Sequence, residues 1–152
     1  MKTFLTIAGG LSIAVATVSL YTPTQAQQLP PAPSSCSYLK EIRTGRPAIR
    51  KSVATNNSND NTDFAVPTGT SFSSYIGRLI PENNERYRVE FNLKYNDGSS
   101  STAVSRTIAD AKRFTVYDLP FRTPTSRQPF QINARIRSSR NNTYSVLVLA
   151  CQ

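Results

Sequence analysis

Apolar and polar residues alternate with a period of two through much of the second half of the chain. In residues 86–95, Tyr87, Val89, Phe91, Leu93 and Tyr95 fall on one side and Arg86, Arg88, Glu90, Asn92 and Lys94 on the other, the pattern of a strand with one buried face. Asn96-Asp97-Gly98-Ser99 follows. Asp-Gly between alternating segments is a hairpin signal, because Gly reaches the positive φ that tight turns need, and the return strand then runs over residues 101–108. Residues 112–119 predict a short strand ended by Pro120. Residues 121–129 are a turn-rich connection. Phe130, Ile132, Ala134 and Ile136 alternate with Gln131, Asn133, Arg135 and Arg137, which predicts a second strand with one buried face. The last strand, residues 143–151, holds Val146-Leu147-Val148-Leu149-Ala150 without alternation, so it is expected to be central and covered on both sides. Weaker strand patterns cover residues 37–43, 48–54 and 71–80, separated by Gly45-Arg46-Pro47, by the Asn/Asp-rich run of residues 56–63 and by Pro67-Thr68-Gly69. No stretch of the mature chain has a 3.6-residue apolar period. About seven or eight such strands predict a single all-β domain, an antiparallel β-sandwich of immunoglobulin-like architecture, with a small β-barrel as the alternative.

The N-terminus departs from this pattern. Lys2 carries one positive charge, residues 5–20 carry none and are mostly apolar, and Thr24 and Ala26 place small residues before Gln27. That order predicts a cleavable export signal over residues 1–26 and a secreted or periplasmic protein. The apolar stretch is shorter than the roughly 20 residues that span a bilayer, which favours cleavage over an anchor, and with no second apolar segment no stable membrane insertion is expected after cleavage. Residues 27–35, Gln-Gln-Leu-Pro-Pro-Ala-Pro-Ser-Ser, read as a Pro-rich tail, and the domain proper is expected over residues 36–152. In an exported chain an even cysteine count is read first as a disulfide. Cys36 and Cys151 sit at the two ends of that domain, so the bridge requires the first and last strands to end side by side.

Composition narrows the chemistry. The chain has 152 residues, no His and no Trp. Ser-His-Asp and Cys-His nucleophiles and the usual Cys/His metal sites are thereby excluded, and no cofactor or metal is expected. Losing residues 1–26 removes only Lys2 from the charge count, leaving 17 basic and 9 acidic residues, a net +8. Thirteen of the 17 are Arg, whose planar fork suits carboxylate, sulfate and phosphate groups. Arg86, Arg88, Arg135 and Arg137 lie on the polar faces of the two best strands, with Lys94 and Arg140 close in sequence. If those strands share a sheet, these six form an anion-binding stripe; the competing reading is a solvated face whose charges Glu90 and other acids neutralise.

The leading expectation is a non-enzymatic binding or surface-interaction module for an acidic polysaccharide, an envelope polymer or an acidic protein. Nucleic acid is disfavoured, since the chain is read as exported and carries no motif of a nucleic-acid reader. Tyr38 and Tyr75 are candidates for stacking on sugar rings. A structural subunit pairing through its edge strands is the alternative, and a carboxylate-dependent hydrolase using Glu82 and Glu85 the third reading. The Asn/Asp run of residues 56–63 lacks the Gly and closing Glu of a calcium loop and reads as a flexible loop. Asn56-Asn57-Ser58 and Asn141-Asn142-Thr143 match the glycosylation pattern. No motif is specific enough to name a family.

Overall fold

The computed structural model describes residues 28–56 and 60–152. The expected export signal, residues 1–26, lies outside the described residues, as do residues 57–59 of the Asn/Asp run. The described residues form ten strands: β1 Cys36–Tyr38, β2 Lys40–Glu41, β3 Ala48–Ser52, β4 Asp60–Ala65, β5 Ser74–Pro81, β6 Glu85–Lys94, β7 Ser100–Ala111, β8 Tyr117–Phe121, β9 Gln131–Arg137 and β10 Thr143–Cys151. They pair into two five-stranded antiparallel sheets. Sheet I has the order β1-β10-β5-β8, with β3 also on β10; sheet II has the order β2-β4-β9-β6-β7. The fold is an all-β antiparallel sandwich, as the alternation predicts.

The alternation also sets the core. Tyr87, Val89, Phe91 and Leu93 of β6 and Ile132, Ala134 and Ile136 of β9 are fully buried against Tyr75 and Leu79 of β5 and Tyr144, Val146 and Val148 of β10. A run of stacked rings joins the sheets: Phe91 to Phe121 at 5.7 Å between centroids, and Phe121 to Tyr75 at 5.6 Å. Phe91 lies directly on the backbone of Gly77, where any Cβ would collide with the ring. Tyr75 is therefore a core residue, and burial pushes its hydroxyl pKa up to about 12. It is not a sugar-stacking platform.

Several local expectations change. The strand expected over residues 37–43 is two, because the chain crosses from sheet I to sheet II at Leu39, whose side chain is buried in the core. The Asn/Asp run is not loop throughout: β4 begins at Asp60, anchored by the buried Phe64 and paired along its length with β9. The strand expected to end before Pro120 runs through it to Phe121. β8 is an edge strand, where a missing N–H costs no ladder bond. Phe130, expected on the buried face, precedes β9 and is 41% exposed.

Cys36 and Cys151 are disulfide-bonded across 115 residues and stand directly opposite each other in the β1–β10 ladder. The clasp expected between the chain ends thus closes within sheet I. β10 is central and buried from Tyr144 to Cys151. Its side chains alternate: Tyr144, Val146, Val148 and Ala150 join the core, while Leu147 and Leu149 point outward yet are also fully buried. The Pro-rich segment crosses this outward side. Arg78, opposite Leu147, donates to the Pro31 carbonyl at 3.1 Å and the Pro30 carbonyl at 3.5 Å, and the Tyr38 hydroxyl also donates to Pro30.

Candidate functional site

The outward face of sheet II is where the expected stripe lies, and strand register decides how its members meet. Arg88 of β6 stands directly opposite Arg137 of β9 on one side and Thr107 of β7 on the other. The next row along β6 pairs Glu90 with Arg135 and with Ser105. Beyond it, Asn92 meets Asn133 and Thr102, and Asn133 meets Asp63 of β4. Every member of these rows is polar or charged, because period-two alternation carries the apolar partners into the core.

The face has two unlike halves. At the Arg end, Arg86, Arg88, Arg137, Thr107, Ser138 and Ser139 line an open depression of about 600 Å³. Among the described residues its lining is three Arg, two Ser and one Thr, with no acidic residue. The Ser138 hydroxyl donates to the Arg86 carbonyl at 2.7 Å and accepts from Asn142 Nδ2 at 2.8 Å, which locks the β9–β10 turn against the start of β6. Glu90 sits at the border of this half. It contacts Arg88 Nε at 3.2 Å and Arg135 Nη1 at 3.4 Å, so it partly neutralises those two.

The other half is a hydrogen-bonded polar ladder. Thr102 donates to Asn92 Oδ1 at 2.7 Å, Asn92 Nδ2 reaches Asn133 Oδ1 at 3.5 Å, and Asn133 Nδ2 donates to Asp63 Oδ1 at 2.8 Å. Lys94 Nζ lies 3.2 Å from the same Asp63 oxygen. Burial works against the Asp63 carboxylate, but hydrogen bonds from Asn133, Lys94 and Gln131 and the Lys94 charge outweigh it and hold its pKa below the usual value.

Of the six cations expected to form one stripe, Arg86, Arg88 and Arg137 come together at the depression, and Arg135 stands in the next row, shared with Glu90. Lys94 pairs with Gln131 three rows from Arg88, about 20 Å away at strand rise, and is engaged by Asp63. Arg140 lies in the β9–β10 turn and its backbone N–H is bound by Asn56 Oδ1 at 2.7 Å. Thr107, Ser138 and Ser139 carry no signal in the sequence that links them to these Arg groups. Only the β6–β7 pairing and the β9–β10 turn bring those hydroxyls to the Arg groups.

Elsewhere the candidate chemistry is engaged. Glu82 accepts two bonds from Arg50, both 2.7 Å, and Glu85 Oε1 accepts the Arg86 N–H at 3.0 Å. On sheet I, Arg78 forms a two-point pair with Asp118, Nε to Oδ1 at 2.6 Å and Nη2 to Oδ2 at 2.9 Å, and its Nη1 lies 2.6 Å from the Tyr38 hydroxyl. Tyr38 thus backs Arg78 rather than presenting a free ring. Among the described residues no cluster of three metal-ligating side chains occurs, and no helix is long and apolar enough to cross a membrane.

No protein-family model matches the chain, and no curated protein matches it at a significant level. Among solved structures, the chain is similar to a CBM29-2 variant complexed with mannohexaose, from a study of ligand recognition by family 29 carbohydrate-binding modules. The TM-score is 0.47 and the identity 9%, over 78% of this chain and 82% of that one. A second CBM29-2 variant gives a TM-score of 0.44 at 9% identity over 78% and 76% of the two chains. PirA gives 0.43 at 11% identity, over 70% and 94%.

Proposed function

We propose that this protein is an exported, non-enzymatic binding module that takes an anionic polymer on the outward face of sheet II, with the anionic groups seated among Arg86, Arg88 and Arg137. The observation that carries this reading is the depression lined by Arg86, Arg88 and Arg137 together with Thr107 and Ser139, with no acidic residue in its lining among the described residues. Arg88 and Arg137 face each other directly across the ladder, so that one anion seated between them reaches both guanidinium groups. Guanidinium forks bind sulfate, phosphate and carboxylate with two parallel hydrogen bonds. The disulfide supports export, since such bonds persist in oxidising compartments.

The test is salt-dependent retention on immobilised heparin. The wild type is expected to bind at low ionic strength and elute as salt screens the contact. The combined Arg86→Ser, Arg88→Ser, Arg137→Ser variant should elute much earlier. Lys94→Ser should shift elution little, since Lys94 lies about 20 Å from Arg88 and faces Asp63. Equal shifts in the two variants overturn the depression as the site and leave only diffuse charge.

A further inference from the structure

The loop from β7 to β8 presents Phe114 to solvent at a backbone cost. Phe114 is 62% exposed and has a φ of +59°, a left-handed region that bulky side chains avoid. Hydrogen bonds hold this conformation from both flanks. The Phe114 N–H donates to the Pro81 carbonyl at 2.6 Å and the Thr115 N–H to the Lys112 carbonyl at 3.2 Å. The Arg113 N–H donates to Asn84 Oδ1 at 2.8 Å and the Lys112 N–H to the Tyr117 hydroxyl at 2.8 Å. The Arg113 guanidinium lies over the ring, 4.8 Å from its centroid. A strained backbone, a ring in water and a cation behind it make a rigid aromatic plate.

The plate stands at the end of the sandwich where β6 begins. Asn84 holds Arg113, and Glu85 pairs with Ala111, three residues before Phe114. Chain length therefore places Phe114 within about 20 Å of Arg86. We propose that Phe114, backed by Arg113, stacks on a sugar ring of the same polymer whose anionic groups sit among Arg86, Arg88 and Arg137, which makes that polymer an acidic polysaccharide. The C–H face of a pyranose is apolar with partly positive hydrogens and meets the negative face of an aromatic ring; a polyphosphate offers no such face. This inference rests on the anion-binding reading above.

The test measures the affinity of the full mature chain for a sulfated, uronate-containing hexasaccharide, for inorganic polyphosphate and for a single-stranded oligonucleotide. Phe114→Asn is the informative variant, because Asn tolerates positive φ and the thermal midpoint should hold or rise. It should weaken the hexasaccharide about tenfold and polyphosphate less than twofold, and Phe114→Tyr should restore hexasaccharide binding. The Arg86→Ser, Arg88→Ser, Arg137→Ser variant should lose both ligands. An unchanged hexasaccharide affinity, or equal losses on hexasaccharide and polyphosphate, overturns the plate and leaves the anion site standing. A larger Phe114-dependent loss on the oligonucleotide overturns the sugar in favour of a base. Absence of anion binding by the wild type overturns the anion reading and this inference with it.

Discussion

The outward faces of the two sheets each carry arginine on a central strand, and they use it in opposite ways. On sheet I, Arg78 has a side chain only 5% exposed, tied to Asp118, to Tyr38 and to the carbonyls of Pro30 and Pro31. The hydrogen bond to Asp118 holds its pKa above the ordinary value. Around it lie the outward but buried Leu147 and Leu149. On sheet II, Arg88 is 53% exposed, faces Arg137, and shares Glu90 with Arg135. The first arginine is enclosed by its own chain, and the second stays more than half exposed beside a single shared carboxylate. One residue type thus serves as a structural clamp where acceptors enclose it, and in the proposed function as a recognition group where it stays half in solvent.

The largest expected effect on this contrast comes from the clasp. Cys36→Ser with Cys151→Ser should lower unfolding free energy by about 2–5 kcal/mol, as measured by urea titration, because the bridge closes a very long loop. Its site is sheet I, so heparin retention of the folded double variant should match that of the wild type. Lost retention at a temperature where the variant is folded would show that the two faces are coupled.

Next in size is the fate of the two arginines. Asp118→Ala leaves the buried Arg78 guanidinium without its carboxylate, and a loss of about 1–3 kcal/mol is expected, moderated because Asp118 itself is partly solvated. Arg88→Ser should change stability by no more than about 0.5 kcal/mol, since it removes both a half-exposed ion pair with Glu90 and a like-charged neighbour, while weakening anion binding. Equal destabilisation by both substitutions would erase the distinction between clamp and recognition group.

The smallest effect is a pH dependence inside sheet II. The Asp63 pKa is lowered on folding, so its contribution is fully present above the unfolded value near 3.8 and is lost as pH falls through the folded value. The stability advantage of the wild type over Asp63→Asn should therefore shrink below about pH 4, as read from unfolding midpoints across the acid range. An advantage that persists to pH 2 would remove the carboxylate charge as its source.

How much of this was legible in the sequence differs by element. The faces of β6 and β9 followed from alternation, because side-chain direction in a strand depends only on residue parity. The Asp97-Gly98 turn followed from local conformational freedom, and Gly98 does adopt a φ of +83°. The β1–β10 closure followed from the positions of the two cysteines. β4 was hidden, since only Phe64 and Ala65 are apolar in Asp60–Ala65 and its strand character comes from pairing with β9. Phe130 misled for the converse reason: its parity matches Ile132, but it lies before the paired residues and outside the core.

At the site the division is the same. That Arg86, Arg88, Arg135 and Arg137 point away from the core is a local property, written in the order of residues along each strand. That Arg88 meets Arg137, that Lys94 lies three rows away beside Asp63, and that Phe114 stands at the end where β6 begins are matters of register and of loop closure. Those depend on contacts between residues tens of positions apart, for which no local pattern exists, and only the packed sandwich decides them.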